Sequence, residues 1–345
     1  MISKIRSMIR YCSFNKIKLQ LSKCKFIVIN GSIEDKSSVL VDIGEIKCVN
    51  NVMILGTPLT DTGFIQKDLD LHLNERFINV IKFFNFIKSN KHAPISIKLK
   101  VLSSCVMSTI LYNCETFGDK LPGNIEKLYH RLIKCALNVR ENTPKEIILI
   151  ESGCLPLKAL VYKRQLKFFR RFRDTLQANC TRQAVFRKLI QQNNETNYIR
   201  HYQSLDERYS DPNDIYVEAF TNLRIFIRTK ASSDKNYRYF IYNKINPELL
   251  PSPFLSSGSN SDLITRFRLG SLRLPIETGR WTRTPRLERL CPLCNVLGDE
   301  HHFLFKCIET YRNPDHNFRT DNLHEVWSNE NIFQLFNELS KSEFI

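Results

Sequence analysis

A mainly α-helical protein is expected from this sequence, with a small β region at the N-terminal end and a small cysteine–histidine unit near the C-terminal end. Three features point there. Two short β-type runs near the start are each cut off by a turn signal, and apolar side chains then recur at helical spacing from Asp61 to about Leu176. Three cysteines and two adjacent histidines crowd into the stretch Cys291–Cys307.

The 345 residues are enough for about two or three domains. Hydrophobic residues make up 42% and charged ones 25%, the balance of a folded protein. Lys and Arg number 51 against 35 Asp and Glu, a formal net charge of +16. Such an excess says nothing about fold but favours polyanionic partners or an anionic surface. No apolar run approaches the length of a membrane span, and the opening MISKIRSMIRYCSF lacks the apolar core of a signal peptide. The reading is an intracellular protein with no membrane among its partners. In a reducing compartment Cys12, Cys24, Cys48, Cys105, Cys114, Cys135, Cys154 and Cys180 read as small buried hydrophobes.

Residues 1–60 begin with Ile2, Ile5, Met8, Ile9 and Cys12 at helical spacing. KFIVI (Lys25–Ile29) before NGS and VMIL (Val52–Leu55) before GTP then read as short strands. Residues 61–176 are expected to be helical. Asp61 or Thr62 caps a helix carrying Leu69, Leu73, Phe77, Val80 and Phe84, and Pro94 starts another with Ile97, Val101, Leu102, Cys105, Thr109 and Tyr112 inward. LPGNIEKLYHRLIKCALNV and LKALVYKRQLKFFRRFRDTL supply two more. Residues 177–262 continue as a polar helical connector that ends in the linker NPELLPSPFLSSGSNSD, and 263–345 form an arginine-rich segment with the cysteine–histidine unit.

CPLCNVLGDEHHFLFKC spaces its residues as C-x2-C-x7-H-x4-C through His302, or C-x2-C-x6-H-x5-C through His301. Three thiolates and one imidazole make a closed tetrahedral zinc site, and soft sulfur selects zinc over magnesium or calcium. Gly298 is expected to let the chain reverse, with Phe303 and Phe305 covering the site. Three buried cysteines beside a chance histidine are the alternative. Cys291, Cys294, His302 and Cys307 are the preferred ligands, with His301 the other candidate. Four protein ligands leave no open position, so the zinc is structural although Glu300 is adjacent.

Two basic clusters follow. On a helix Lys163, Lys167, Arg170 and Arg171 share one face while Tyr162, Leu166 and Phe169 hold an apolar one. Arg266, Arg268, Arg273, Arg280, Arg283, Arg286 and Arg289 lead into the cysteines, opposed by Glu277 and Glu288 and without a lysine among them. Lysine serves solubility equally well, so this choice points to forked phosphate contacts. Phe267 and Trp281 can stack on unpaired bases, although core is the preferred reading of both. Solvated surface is the competing reading of both clusters.

Two-metal polymerase or nuclease chemistry needs clustered carboxylates. The chain has no Asp-Asp pair, and Asp68-Leu-Asp70 sits where acids favour a helix N-terminus. It has no glycine-rich phosphate loop and no nucleophile elbow, and Cys154 in ESGCLPLK reads as part of a turn.

Several stretches together resemble the reverse transcriptases of non-LTR (LINE-type) retrotransposons. YCSFNKIKLQLSKCKFIVI is similar to the segment after that family's catalytic strand pair, matching at Leu19, Leu21, Lys23 and Lys25. VMILGTPLT is similar to its primer-grip strand and turn, and ILYNCETFG to the pattern that ends its thumb helices. RFRLGSLRLPIETGRW with CPLCNVLGDEHHFLFKC is similar to its arginine-rich stretch and C-terminal knuckle. The matches run in the family's order along almost the whole chain.

The resemblance implies a palm remnant at 1–60, a thumb at 61–176, a connector at 177–262 and a zinc knuckle within 263–345. Partners would be RNA and DNA, in the nucleus, with Lys23 and Lys25 added to the basic residues that touch them. The family's RNA-directed DNA polymerase activity uses magnesium on aspartates of the catalytic strand pair. That pair precedes the matched segments, so these residues are expected to grip nucleic acid without a polymerase centre of their own. A zinc-bearing helical adaptor for other proteins is the alternative.

Overall fold

The computed structural model describes residues 2–29, 31–32, 36–41, 44–62, 65–119, 123–174, 197–233, 236–256 and 261–307, with 323, 325–328, 332 and 336 nearer the C-terminus. Residues 175–196, spanning the end of the expected thumb and the start of the expected connector with Cys180, and the stretch 308–322 lie outside the described residues. The fold is mainly helical, with a small strand region at the N-terminal end. The chain divides into two compact units, Met1–Asn79 and Val80–Ile345.

The first unit opens with helix α1, Ile2–Phe14, whose helical spacing buries Cys12. Of KFIVI, Lys25–Phe26 alone forms a strand, β1, pairing in parallel with β3, Gly44–Cys48. Strand β2, Val39–Val41, pairs antiparallel on the other side of β3, giving the order β1-β3-β2. VMIL matches strand β4, Asn51–Ile54, which returns as β5, Thr57–Thr60. Leu55 and Gly56 both take left-handed φ, 49° and 77°, which is the two-residue hairpin turn whose twist matches that of paired strands. Helix α2, Ile65–Ser89, leads into the second unit. Its expected cap, Asp61 or Thr62, is followed by residues 63–64, outside the described ones.

In the second unit Pro94 precedes helix α3, Ile95–Val101. The helix does not continue regularly, because Leu102–Met107 winds as a π-helix before the short α4, Ser108–Ile110. That wider turn rotates the buried stripe. Ile95, Lys98, Leu102, Val106, Met107 and Ile110 are buried, whereas Ile97 and Tyr112 are each 46% exposed and Cys105 is exposed. The inward face expected from a regular helical period is therefore corrected.

Helix α5, Gly123–Ala136, buries Ile125, Tyr129, Leu132 and Ile133, and α6, Lys145–Ser152, follows Pro144 and buries Ile147 through Ile150. Gly153, at φ 68°, ends α6 in the left-handed conformation that glycine adopts without strain. Helix α7, Leu157–Asp174, anchors the ILYNCETFG stretch: Arg164 donates to the Leu111 carbonyl (3.0 Å), and Gln165 to those of Cys114 (3.2 Å) and Gly118 (2.8 Å). Beyond it lie α8, Asn197–Arg208, α9, Asp214–Ala231, and α10, Tyr237–Ile245. Ala159 and Leu166 of α7 pack with Leu205, Tyr209 and Ile215 in one core cluster.

The Pro/Ser-rich stretch expected as a linker is instead part of the fold wherever it is described. Leu249 and Phe254 are buried, and the Ser252 N–H donates to the Glu151 carbonyl at 2.9 Å. Its prolines shape a close-fitting segment rather than a free one. Helices α11, Ser261–Arg268, α12, Pro275–Trp281, and α13, Glu300–Phe305, complete the described elements used below. Phe254, Ile264, Phe267, Ile276 and Leu304 share a core with Ile241 and Ile245 of α10, and Val326 and Phe336 join it. Among the described residues no helix is long and apolar enough to cross a membrane.

Candidate functional site

Cys291 and Cys294 sit on a tight reversal. The Cys291 N–H donates to the Val296 carbonyl (2.7 Å), that of Asn295 to Cys291 (2.9 Å), and Leu290 bridges Leu297 antiparallel. Asn295 supplies the left-handed residue, φ 53°, so the reversal expected at Gly298 occurs three positions earlier. Gly298 serves a different purpose. A Cβ there would stand 2.6 Å from Cγ of Pro275, so only glycine lets the hairpin close onto the start of α12, where the Ile276 N–H reaches its carbonyl at 3.0 Å.

The Asp299 side chain then caps α13 by accepting from the His302 N–H at 2.8 Å, which fixes His302 in the first turn. Just past the helix, the Cys307 N–H returns to the His302 carbonyl at 2.8 Å. Cys291, Cys294, His302 and Cys307 come together with all ligand atoms within 4.8 Å of one another. Cys307 Sγ lies 3.9 Å from both Cys291 Sγ and Cys294 Sγ. Sulfurs about 2.3 Å from a tetrahedral zinc stand about 3.8 Å apart, so the donor set fits a metal ion.

The surroundings agree. Neither ring nitrogen of the buried His302 has a hydrogen-bond partner, and metal ligation would satisfy one of the two. Burial holds the His302 pKa below its ordinary value and keeps the neutral ring that ligates. At Cys291 burial pushes the thiol up, but the Leu293 and Cys294 N–H groups with the neighbouring thiols outweigh it and leave the pKa lowered, toward thiolate. His301 stands outside the cluster, half-buried, its ring 4.9 Å from that of Phe305.

Glu300 belongs to a different network. Its buried carboxylate accepts from Arg238 at 2.9 Å and from the Tyr237 hydroxyl at 2.9 Å, and Arg238 also pairs with Glu277. It locks α13 to α10 and α12 and is not an acid–base group for a metal. Phe303 and Phe305 likewise point into the core. They do not lid the site. Burial pushes the Cys154 thiol above its ordinary pKa, away from the thiolate a nucleophile needs.

The basic residues differ in exposure and in what holds them. Arg268 is corrected outright: it is 4% exposed, and its guanidinium grips Glu151 at 2.7 and 3.1 Å, so its charge is neutralised inside the core. Arg170 is bound to Asp206 at 2.6 Å and to the Ser210 carbonyl at 2.7 Å. Lys163 donates to Asn213 Oδ1 at 2.7 Å and lies 3.7 Å from the Tyr216 ring centroid. Helical spacing alone did not show that α8 and α9 pack beside α7 and take up these two. Lys167 and Arg171 remain exposed on α7, and Lys23 and Lys25 are exposed in the first unit.

In the arginine-rich segment Arg273 and Arg283 are exposed, Arg280 is 43% exposed beside Glu277, and Arg266 is half-buried. Burial and the nearby Arg273 lower the Arg266 pKa against the pull of Asp262. Phe267 is core. Trp281 is 50% exposed, with the Arg140 guanidinium 3.8 Å from its ring centroid. Arg140 stands outside both sequence clusters, and no local signal marks it.

No protein-family model, curated protein or solved structure matches the chain.

Proposed function

We propose that this chain is a nucleic-acid-binding region like the C-terminal part of a non-LTR retrotransposon reverse transcriptase, held partly by a structural zinc ion and gripping template–primer, element RNA or target DNA. The observation that carries the reading is the surface around Trp281. Arg280 lines the same cavity as the half-exposed Trp281, Arg283 follows two residues on, and Arg140, whose guanidinium stacks on the indole, feels the charge of the exposed Arg273. Forked donors for phosphate and an aromatic platform for a base are the two parts that single-strand recognition combines. The net charge of +16 and the exposed Lys167 and Arg171 support it.

Among the described residues the Cys/His group is the one side-chain cluster suited to a metal. The four-ligand set leaves its zinc no open position, so the ion orders the hairpin and α13. The second reading, a zinc-bearing adaptor for proteins, draws on a mixed cavity of about 430 Å³ whose lining combines apolar Leu149, Ile215 and Phe226 with charged Glu126, Lys145 and Arg208.

Affinity for a labelled oligonucleotide across a salt series separates them. Phosphate binding weakens steeply with salt because condensed counterions are released, whereas an adaptor shows no oligonucleotide binding to titrate.

A further inference from the structure

A second basic site lies where α5 meets the loop before α6. Lys127, Arg131 and Lys134 follow one another at four and three residues along α5, so they share a face, and Lys145 opens α6 opposite them. Together with Glu141 and His130 they line a cavity of about 490 Å³. None of these residues belongs to the interface proposed above.

The charges in this wall are poorly matched. Glu141 meets Arg131 at 3.4 Å with side chains 81% and 65% exposed, and Lys145 meets Glu126 at 3.8 Å with both about half exposed. Contacts this exposed restrain the groups weakly. Lys134 donates to the Glu141 carbonyl, and among the described residues Lys127 has no carboxylate partner. His130 is 8% exposed, and its buried Nε2 has no hydrogen-bond partner, which is rare for a polar atom taken out of water.

The geometry points to a phosphate-binding site in this cavity, with Lys127, Arg131, Lys134 and Lys145 meeting the charge and His130 completing the shell. A carboxylate brings one charge and two acceptor atoms. A phosphate brings more of both, as four cations and an unpartnered imidazole require. The group belongs either to a nucleic-acid backbone or to a small phosphomonoester. Burial holds the His130 pKa below its ordinary value, with Lys145 and Lys134 adding to that and Glu126 and Glu146 opposing. Its ring signals are therefore a sensitive reporter of an added anion.

Inorganic phosphate is titrated into the full chain at constant ionic strength while the His130 ring resonances are followed by NMR. A saturable shift is expected. The Lys127→Glu/Arg131→Glu variant, altered at exposed positions and so expected to fold, should weaken it about tenfold, as removal of a charge-assisted hydrogen bond implies. A linear, unsaturated response, or equal affinity in that variant with its melting temperature unchanged, overturns the site. Competition by an oligonucleotide supports the site and assigns it to a backbone phosphate; retention of phosphate beside bound oligonucleotide supports it and assigns it to a small ligand. Because the probe is phosphate alone, failure of oligonucleotide binding would sink the proposed function without touching this site.

Discussion

Lys98 and Asp262 pair across 164 residues of sequence, with Nζ 3.4 Å from Oδ1 and 3.3 Å from Oδ2. Lys98 is 2% exposed and Asp262 25%, and the lysine also donates to the Lys91 carbonyl at 2.9 Å. The pair ties α3 to the start of α11. Burial raises the Asp262 pKa, and Lys98 and Arg266 oppose the rise.

Lys98→Ala removes the partner of a partly desolvated carboxylate and leaves a carbonyl without its donor. A loss of about 2–3 kcal/mol is expected, below the full value for a completely buried pair. Urea unfolding at neutral pH checks it. A stability equal to that of the parent protein would mean the pair contributes nothing.

Arg268→Ala leaves the Glu151 carboxylate, 0% exposed, with Tyr242 as its remaining side-chain hydrogen-bond donor among the described residues. The expected cost is about 3–5 kcal/mol, because an uncompensated buried charge is worse than no pair. The Arg268→Met/Glu151→Leu protein should recover part of that loss. If Arg268 instead met phosphate, Arg268→Ala would lower oligonucleotide affinity while leaving the melting temperature alone.

These two pairs mark what a sequence can carry. The candidate metal ligands lie within one short stretch, so their spacing alone points to the site, and the structure gathers Cys291, Cys294, His302 and Cys307 as that spacing implies. The helices of the second unit were legible for the same reason, since periodicity is local. What was not legible depends on distant partners. Arg268 reads as one more arginine in a row until Glu151 is seen beside it, and Arg170 until Asp206 is. At Ile97 the wrong side of the regular α3 was read as inward, and from Cys105 onward the π-helical Leu102–Met107 breaks the period on which the reading rests. Trp281, read preferentially as core, is 50% exposed, and nothing near Arg140 in sequence announces their stacking.

Metal binding should be one-to-one in the parent protein, retained in His301→Ala and lost in Cys294→Ser and His302→Ala. Phe303, Leu304 and Phe305 lie in the main core of the second unit, so metal loss should loosen that core as well as the hairpin. Chelation is thus expected to lower the melting temperature of the whole protein by several degrees rather than melt a separate small unit. Zinc content by elemental analysis, beside a thermal melt, checks both parts. Retained metal in His302→Ala with loss in His301→Ala would reverse the ligand assignment.

Acid should destabilise the fold through His130 and His201. Burial lowers both pKa values, at His201 with Lys158 adding and Asp119 opposing. Below the ordinary value of about 6.5 the unfolded chain binds more protons than the folded one, so stability falls as pH drops through that value. The denaturation midpoint should be lower at pH 5.5 than at 7.5. The drop should shrink in His130→Gln/His201→Gln, where metal release contributes as in the parent. A drop of equal size in that variant removes the two histidines from the explanation.

The decisive comparison is the salt dependence of oligonucleotide affinity in the parent protein and in Arg273→Glu/Arg283→Glu, two exposed positions whose replacement leaves the core and metal ligands alone. The slope of log affinity against log salt should be steep in the parent and shallower in the variant, by about 0.7 for each single-strand phosphate that is no longer neutralised. Affinity should fall for every sequence tested, because phosphate contacts carry no sequence information. A parent protein without measurable oligonucleotide affinity at low salt, or a variant with the parent's slope and affinity, would contradict a nucleic-acid grip at this surface.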